Sequence, residues 1–156
     1  MSINHAVNNT INLDCKSLKV NGSTVGSSGK FLIEFGGNLN ATTFQYLQFQ
    51  TNQIGSPVNS FYNIYRIPFK CKILSFKVYK QSVSNPKLYQ VFLADSNLGN
   101  ETEIQQLNMG NTEQFKLITS IYTTTIEQGQ VIYISGANDG NIAGVSKVEV
   151  LLEQVE

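Results

Sequence analysis

The chain has 156 residues, a formal net charge of zero and only 14% charged residues. A single domain of this length buries about 70% of the surface that its unfolded chain exposes, which allows a core without disulfides. Neutrality excludes a global electrostatic attraction to nucleic acid or to anionic membranes. Polarity comes instead from about thirty Asn and Gln and about twenty-five Ser and Thr residues. These amides and hydroxyls suit contacts between copies or with sugars as well as solvation.

The first 28 residues are predicted to form an arm that is separate from the main domain. In LKVNGSTVG, residues 18–26, two short apolar alternations flank Asn21-Gly22, the strongest sequence signal for a two-residue β-hairpin. The run GSSG, residues 26–29, follows as a linker. An isolated two-stranded hairpin is marginal in water. We therefore expect this hairpin to dock against a neighbouring subunit, through Leu18, Val20 and Val25.

From residue 30 onward, almost every periodic segment has the two-residue alternation of a β-strand. In KILSFKVYK, residues 72–80, we predict that Leu74, Phe76 and Val78 share one face of the strand. The full set of predicted strands is 31–35, 43–50, 61–67, 72–80, 88–95, 115–126, 130–136 and 145–154. The stretches between them are predicted loops, chiefly 51–60 and 96–114, with one short helical turn at 101–107.

Eight strands without interleaved helices predict an all-β protein. We expect an antiparallel β-sandwich, a single jelly roll over residues 30–156, preceded by an N-terminal extended arm and hairpin over residues 1–28. A closed barrel and an immunoglobulin-like sandwich stay open as alternatives. The Cys-Trp-Cys core of true immunoglobulin domains is missing, because the chain has no Trp.

Candidate catalytic residues are scarce. The only histidine, His5, lies in the arm, so a Ser-His-Asp or Cys-His mechanism would need the arm to fold back into a site. One His and two Cys are too few for a zinc site built from these ligands. A carboxylate pair for glycoside hydrolysis is harder to dismiss, but the acidic residues fall mostly at strand ends or in loops. We expect no enzymatic activity, no cofactor and no metal.

The sequence also gives little support for a calcium loop, a phosphate-binding loop or a set of disulfides. The run GANDGN, residues 136–141, offers a single carboxylate, Asp139, and is read as a surface loop rather than a calcium loop. No Gly-rich phosphate loop follows a strand and opens a helix. Cys15 and Cys71 are interpreted as buried thiols, and a single bridge between them stays open.

Basic residues are concentrated between Arg66 and Lys87, where no acid occurs. One hypothesis is a basic face that meets nucleic acid, formed by Arg66, Lys70, Lys72, Lys77 and Lys80. The preferred interpretation is pairing with acids of an adjacent strand or subunit, because neighbouring lysines in a strand need not share a face. Nucleic acid is therefore not the expected partner.

Aromatic residues occupy both faces of two predicted strands. A strand with one buried face needs apolar residues only at every second position. Two-sided aromatic strands are therefore buried a second time, most economically against a symmetric partner. We predict a role in the oligomer interface for Tyr46, Phe49, Tyr62 and Tyr65.

Four segments together resemble a known type of protein. GNLNATTFQYLQFQTN, YRIPFKCKILSFKVYKQ, TTIEQGQVIYISG and VSKVEVLLEQ resemble the trimeric jelly-roll heads of viral and phage fibre or minor virion proteins, including complement-type and tumour necrosis factor-like heads. The matching residues are Tyr46, Leu47 and Phe49, then Pro68, Phe69, Cys71 and Ile73, then Gly129, Gln130 and Val131. The family often has Gly-Asp where this chain has Gly129-Gln130, so a role of that acid is not carried over. The Asn-rich, low-charge style is similar to that of large DNA viruses and their satellite viruses.

The resemblance implies a non-enzymatic structural virion protein that acts as a homotrimer in capsid decoration, assembly or host attachment. Expected partners are other copies, other capsid proteins and surface glycans, and the expected location is the virion after synthesis in the cytoplasm of the infected cell. The sequence has neither a signal-peptide pattern nor a stretch of about 18 apolar residues, so we expect no secretion by that route and no membrane insertion. The alternatives are a lectin-like carbohydrate-binding module, with contacts in loops 51–60, 96–114 and 136–141, and a nucleic-acid packaging protein.

Overall fold

The structure, a computed structural model, describes residues 18–20, 23–25, 29–39, 42, 44–49, 64–81, 87–138 and 144–155. The side chains of residues 18–25 and of Asn138 lie outside this description. Every regular element in the described ranges is a β-strand. No helix in these ranges is long and apolar enough to cross a membrane. The all-β prediction is confirmed.

The hairpin predicted near the N-terminus is present. Strand β1 (Leu18–Val20) pairs antiparallel with β2 (Ser23–Val25), and Val20 lies opposite Ser23. This pairing leaves two residues, Asn21 and Gly22, to connect the strands, as the two-residue signal predicts. Among the described strands, β1 and β2 form a sheet of their own.

Two further antiparallel sheets form the main domain. Sheet 1 has the order β10–β7–β12–β3–β5, and its strands are β3 (Lys30–Leu39), β5 (Gln48–Phe49), β7 (Cys71–Lys80), β10 (Phe115–Thr119) and β12 (Gly144–Gln154). Sheet 2 has the order β4–β11–β8–β9, and β6 also pairs with β11. Its strands are β4 (Gln45–Tyr46), β6 (Tyr65–Arg66), β8 (Lys87–Ala94), β9 (Thr102–Met109) and β11 (Val131–Asn138).

The two sheets pack face to face around one apolar core. Alternate residues of strands from both sheets are buried in a single cluster, for example Phe35 of β3, Val150 of β12 and Val91 of β8. The Tyr89 hydroxyl of β8 bonds Ser146 Oγ of β12 across the core at 2.9 Å. The predicted antiparallel sandwich is confirmed. The chain passes between the sheets after β3, β4, β5, β6, β7, β9, β10 and β11, and remains within one sheet only between β8 and β9. The jelly-roll topology stays a prediction.

Two β-bulges explain where the predicted alternation is wrong. In β7 the register against β12 shifts so that Ile73 and Ser75 lie opposite consecutive residues. Leu74 is therefore the extra residue and does not share the buried face of Phe76 and Val78. In β9 the register against β8 shifts in the same way and leaves Ile104 as the extra residue.

The second bulge also explains the missed strand. The sequence interpretation placed residues 96–114 in a loop with a helical turn at 101–107, but residues 102–109 form β9. The bulge separates the buried residues Ile104 and Leu107 by three positions, which is helical spacing although the backbone is a strand.

The predicted strand at 43–50 divides between the sheets. β4 pairs with β11 of sheet 2, whereas β5 pairs with β3 of sheet 1. Leu47 lies between them, fully buried, and its N–H donates to the carbonyl of Ile134 at 2.8 Å. Elsewhere the boundaries differ by a few residues: β6 and β10 are shorter than predicted, and β11 continues to Asn138.

Candidate interaction surface

The outer face of sheet 1 carries ion pairs between neighbouring strands. Lys72 of β7 lies 2.8 Å from Glu153 of β12, and Lys77 lies 3.8 Å from Glu149. Lys147 lies 2.7 Å from Glu34 of β3, and this hydrogen bond raises the pKa of Lys147. Pairs of this kind contribute little stability individually, because water screens them. Lys72 and Lys77, two members of the hypothetical basic face, therefore each have a carboxylate beside them.

The remaining residues of the hypothetical basic face lie elsewhere. Arg66 lies in β6 of sheet 2 and donates to the carbonyls of Gly129 and Ser96, each at 3.0 Å. Lys70 precedes β7 and lies 3.4 Å from Glu127. Lys80 is buried. The fold therefore brings Lys72 and Lys77 to one face and separates the other three from them.

Two buried lysines lie at one end of the sandwich. Lys80 Nζ donates to the carbonyl of Gly110, and Lys87 Nζ donates to the carbonyl of Gly144 at 3.0 Å. Burial and, to a smaller extent, the charge of Lys80 together lower the pKa of Lys87 to about 8. Burial also lowers the pKa of Lys80, while Glu113 opposes that effect. Because these ammonium groups bond backbone carbonyls of loops and strand ends, their evident role is to fix the end of the sandwich.

The aromatic residues predicted for an oligomer interface divide between two clusters. Phe49 and Tyr65 pack against the main core with ring centroids 4.8 Å apart. Tyr46 packs instead on a second cluster of sheet 2, where its ring lies 5.6 Å from that of Tyr133, which stacks on Phe92 at 5.1 Å. Aromatic residues on both faces of these strands thus find partners within the same chain, on the main core and on the second cluster. Tyr62 and the side chains of Leu18, Val20 and Val25 lie outside the described residues, and the interface role of all seven stays a prediction.

The most exposed apolar side chains of the described residues gather at β10 and the turn after it. Phe115 is 52% exposed, Leu117 is 58% exposed and Ile121 is 74% exposed. Leu32, on the outer face of β3, is 50% exposed, and β3 pairs with β12 at this position. Burying an apolar side chain of this size is worth about 1.5–3 kcal/mol. The exposed side chains of β10 and of the turn after it could therefore stabilise contact with another apolar surface.

β10 also has an unpaired backbone edge, since it is the last strand of sheet 1. The N–H of Lys80 donates to Gln114 and the N–H of Ser120 donates to Leu74. Hydrogen-bonded positions alternate in an antiparallel ladder. The backbone N–H and C=O groups of the even-numbered residues of β10 therefore face β7, whereas those of Phe115, Leu117 and Thr119 point away from it. Of these outward groups, the Thr119 carbonyl accepts from the side-chain amide of Gln105 in β9 at 3.5 Å.

The other long edge strand, β9, contacts β10 and the turn after it. The Gln105 side-chain amide donates to the carbonyl of Thr119 at 3.5 Å. The side-chain oxygen of Gln105 accepts from the N–H of Ile121 at 3.0 Å, and Lys116 Nζ donates to the carbonyl of Asn108 at 3.0 Å. Lysines commonly protect edge strands from pairing. The lysine of β10, Lys116, instead reaches across to β9 and to Glu113 at 3.3 Å. In sheet 1, β10 is the long edge strand, and the backbone groups of Phe115 and Leu117 on its outer side pair with no other described strand.

A shallow cleft adjoins the open edge. It has a volume of about 720 Å³. The Tyr79 and Phe115 rings form one wall with their centroids 5.2 Å apart, and Lys147 Nζ lies 5.8 Å from the centre of the Tyr79 ring. The remaining lining residues are Lys80, Gln81, Gln114 and Val145. We call the cleft and the exposed residues of β10 together the β10 surface.

The described residues bear on two kinds of reactive site, a metal centre and a reactive thiol. No group of three or more His, Cys, Asp or Glu side chains in the described ranges is arranged to hold a metal ion. Cys71 is a free, buried thiol, and burial raises its pKa to about 11, which opposes formation of the reactive thiolate. His5, Cys15 and Asp139 lie outside the described residues.

Sequence reasoning missed the β10 surface as a site. The alternation of Phe115, Leu117 and Thr119 was visible in the sequence, but alternation is the same for an edge strand and for a central one. The position of a strand at the end of a sheet depends on pairings between distant segments. One signal was available in the sequence. Phe115 and Leu117 lie on the face of the strand opposite Ile118, and the solvent-facing side of a strand usually carries polar residues.

Comparisons with known proteins assign no family. No family model and no curated protein match the sequence. Among solved structures, the fold is similar to a chain described as Desmodium yellow mottle tymovirus, with 8% sequence identity and a TM-score of 0.35. The similarity covers 89% of this chain and 94% of that chain. At this TM-score and identity, the likeness carries no argument about function.

Proposed function

We propose that this chain is a non-enzymatic structural virion protein whose copies associate as a homotrimer through the β10 surface and the N-terminal arm. The observation that carries the proposal of self-association is the exposed apolar edge of β10. An edge strand with two large apolar side chains, whose lysine, Lys116, reaches to Asn108 and Glu113 instead of shielding the edge, favours pairing with another chain. The virion assignment rests on the resemblance of the sequence to jelly-roll heads of virion proteins, and capsid decoration, assembly or host attachment would follow from it.

Light scattering of the full-length chain at micromolar concentration tests the oligomer. A homotrimer has three times the mass of the 17.3 kDa chain. A monomeric mass over the whole accessible concentration range contradicts the proposal.

Particle association tests the virion assignment separately. An antibody raised against the full-length chain should detect it in purified particles from infected cells. Its occurrence in virus-free cells, with no association with particles, contradicts the assignment.

A lectin-like function is the second candidate, and the cleft of the β10 surface favours it. Sugar rings stack on aromatic side chains, and the cleft offers Tyr79 and Phe115 beside the amides of Gln81 and Gln114. A glycan array probed with the full-length chain should then give saturable binding that Tyr79→Ala removes and Leu32→Ala preserves. Binding that both variants retain, or no binding to any glycan, contradicts a sugar site in this cleft.

A further inference from the structure

We infer that the open edge of β10 accepts the β1–β2 hairpin of a second copy of this chain, which adds to sheet 1 as a further strand. The inference rests on the proposed self-association and specifies its donor and its acceptor. The edge of β10 has unpaired backbone groups and exposed apolar side chains, and the hairpin has no larger sheet to pair with among the described strands.

The acceptor lacks a strand. Phe115 and Leu117 direct backbone N–H and C=O groups outward from an edge with which no other described strand pairs. The contact of β9 with this edge is at Thr119, whose carbonyl accepts from Gln105. Their side chains stand on the same outer face and are about half exposed. Main-chain hydrogen bonds to an added strand would satisfy the backbone groups, and apolar side chains of that strand would cover the rings and the leucine.

The donor lacks a sheet. β1 and β2 pair only with each other among the described strands. Two strands alone are marginally stable, and independent stability needs a third strand or another apolar surface. The sequence of the hairpin supplies apolar residues at alternating positions, Leu18 and Val20, as an added strand requires.

The length of the connecting chain determines that the donor is another copy. Five residue steps join Val25 to Lys30, and a fully extended chain of that length reaches roughly 17 Å. A strand added beyond β10 lies four strand spacings from β3, about 19 Å sideways. Leu117 is level with Glu34 through the pairings of β7 and β12, so the middle of the edge lies about 13 Å further along the strands than Lys30. The combined separation, about 23 Å, exceeds the reach of the connection.

A contact between two different surfaces is head to tail, and it closes into a ring when the rotation between copies permits. Each copy would donate its hairpin to one neighbour and accept the hairpin of the other. This arrangement is compatible with a trimer. A symmetric pairing of two β10 edges would stop at a dimer.

Crosslinking of full-length chains tests the inference. In a Cys15→Ser background, one preparation carries Leu117→Cys. The others carry Lys19→Cys or Val20→Cys, which cover both faces of β1 because adjacent residues of a strand point to opposite sides. After the acceptor is mixed with each donor and oxidised, one of the two donors should form a mixed disulfide with Leu117→Cys. Cys71 is fully buried and does not compete.

Leu32→Cys is the matched control acceptor, because Leu32 lies on the same outer face and is similarly exposed. We expect the mixed disulfide of Leu117→Cys to form at least about tenfold more than that of Leu32→Cys. Equal yields from the two acceptors, in samples that light scattering shows to be trimeric, overturn the inference and leave the self-association intact. A monomeric mass of the parent chain overturns both.

A second variant tests the same edge without cysteines. Leu117→Lys places a charge on the open edge, where the side chain is solvated in the free subunit and intrachain pairing with β7 is retained. We expect the apparent dissociation constant of the assembly to rise about tenfold or more, with an unchanged melting temperature of the isolated subunit. Leu32→Lys should leave association unchanged, and an equal effect of the two substitutions contradicts the assigned acceptor.

Discussion

Replacing Lys87 by Met should change how the stability of the fold depends on pH. Lys87 is almost fully buried, and its pKa is about 8 instead of the ordinary 10.5. Between these two pH values the unfolded chain keeps a proton that the folded chain has released. The free energy of unfolding of the parent protein therefore contains a contribution that rises with pH in this window.

The structure sets the magnitude. Each tenfold change in proton affinity is worth about 1.4 kcal/mol, so holding the Lys87 charge in the fold at neutral pH costs about 3 kcal/mol. The Met variant avoids this cost but loses the hydrogen bond to the Gly144 carbonyl, worth about 1 kcal/mol. We expect Lys87→Met to be about 2 kcal/mol more stable than the parent at pH 7 and about equal to it near pH 10.

Urea unfolding followed by circular dichroism at fixed protein concentration measures this difference. The comparison at each pH cancels the titration of other groups, such as the Cys71 thiol, that both proteins share. Lys70→Met is the matched control, because Lys70 is exposed, and its stability should stay parallel to that of the parent. A constant difference between Lys87→Met and the parent from pH 7 to pH 10 refutes the account of a buried charge.

Two further predictions concern the core. Gly136→Ala should lower the free energy of unfolding by about 1–3 kcal/mol, because the added Cβ would lie 2.6 Å from Leu39 and 2.9 Å from Tyr89. In Gly37→Ala the added Cβ meets its nearest neighbour at 3.4 Å, so this control should be near neutral, and equal melting temperatures of the two variants would contradict the close approach. The Cys71 thiol should resist alkylation by iodoacetamide at pH 8 in the native protein and react after unfolding in urea, as peptide mass analysis can show. Rapid alkylation of the native protein is the contrary result.

Much of the fold could be predicted because its signals are local. Alternation locates most strands, and the Asn21-Gly22 signal locates the hairpin, because the side-chain period and the turn geometry belong to short segments. β9 was missed because a bulge changes that period. The division of residues 43–50 between two sheets was missed because it depends on partners in β3 and β11.

The candidate site could be predicted only in part. Acids opposite Lys72 and Lys77 were foreseen from the rule that adjacent strands place opposite charges together, and Glu153 and Glu149 lie there. The burial of Lys80 was not foreseen, although it shares the alternating phase of Phe76 and Val78. A lysine in an apolar series is ordinarily read as exposed, because burial of a charge is costly.

Hydrogen exchange at the edge of β10 tests the central claim most directly. The amides of Phe115 and Leu117 point away from β7, so in an isolated subunit they exchange rapidly with solvent, whereas those of Lys116 and Ile118 are protected by the sheet. If copies associate through this edge, raising the protein concentration from the monomeric to the assembled range should protect the amides of Phe115 and Leu117. Rapid exchange of these two amides in a sample that light scattering shows to be fully assembled would contradict the account.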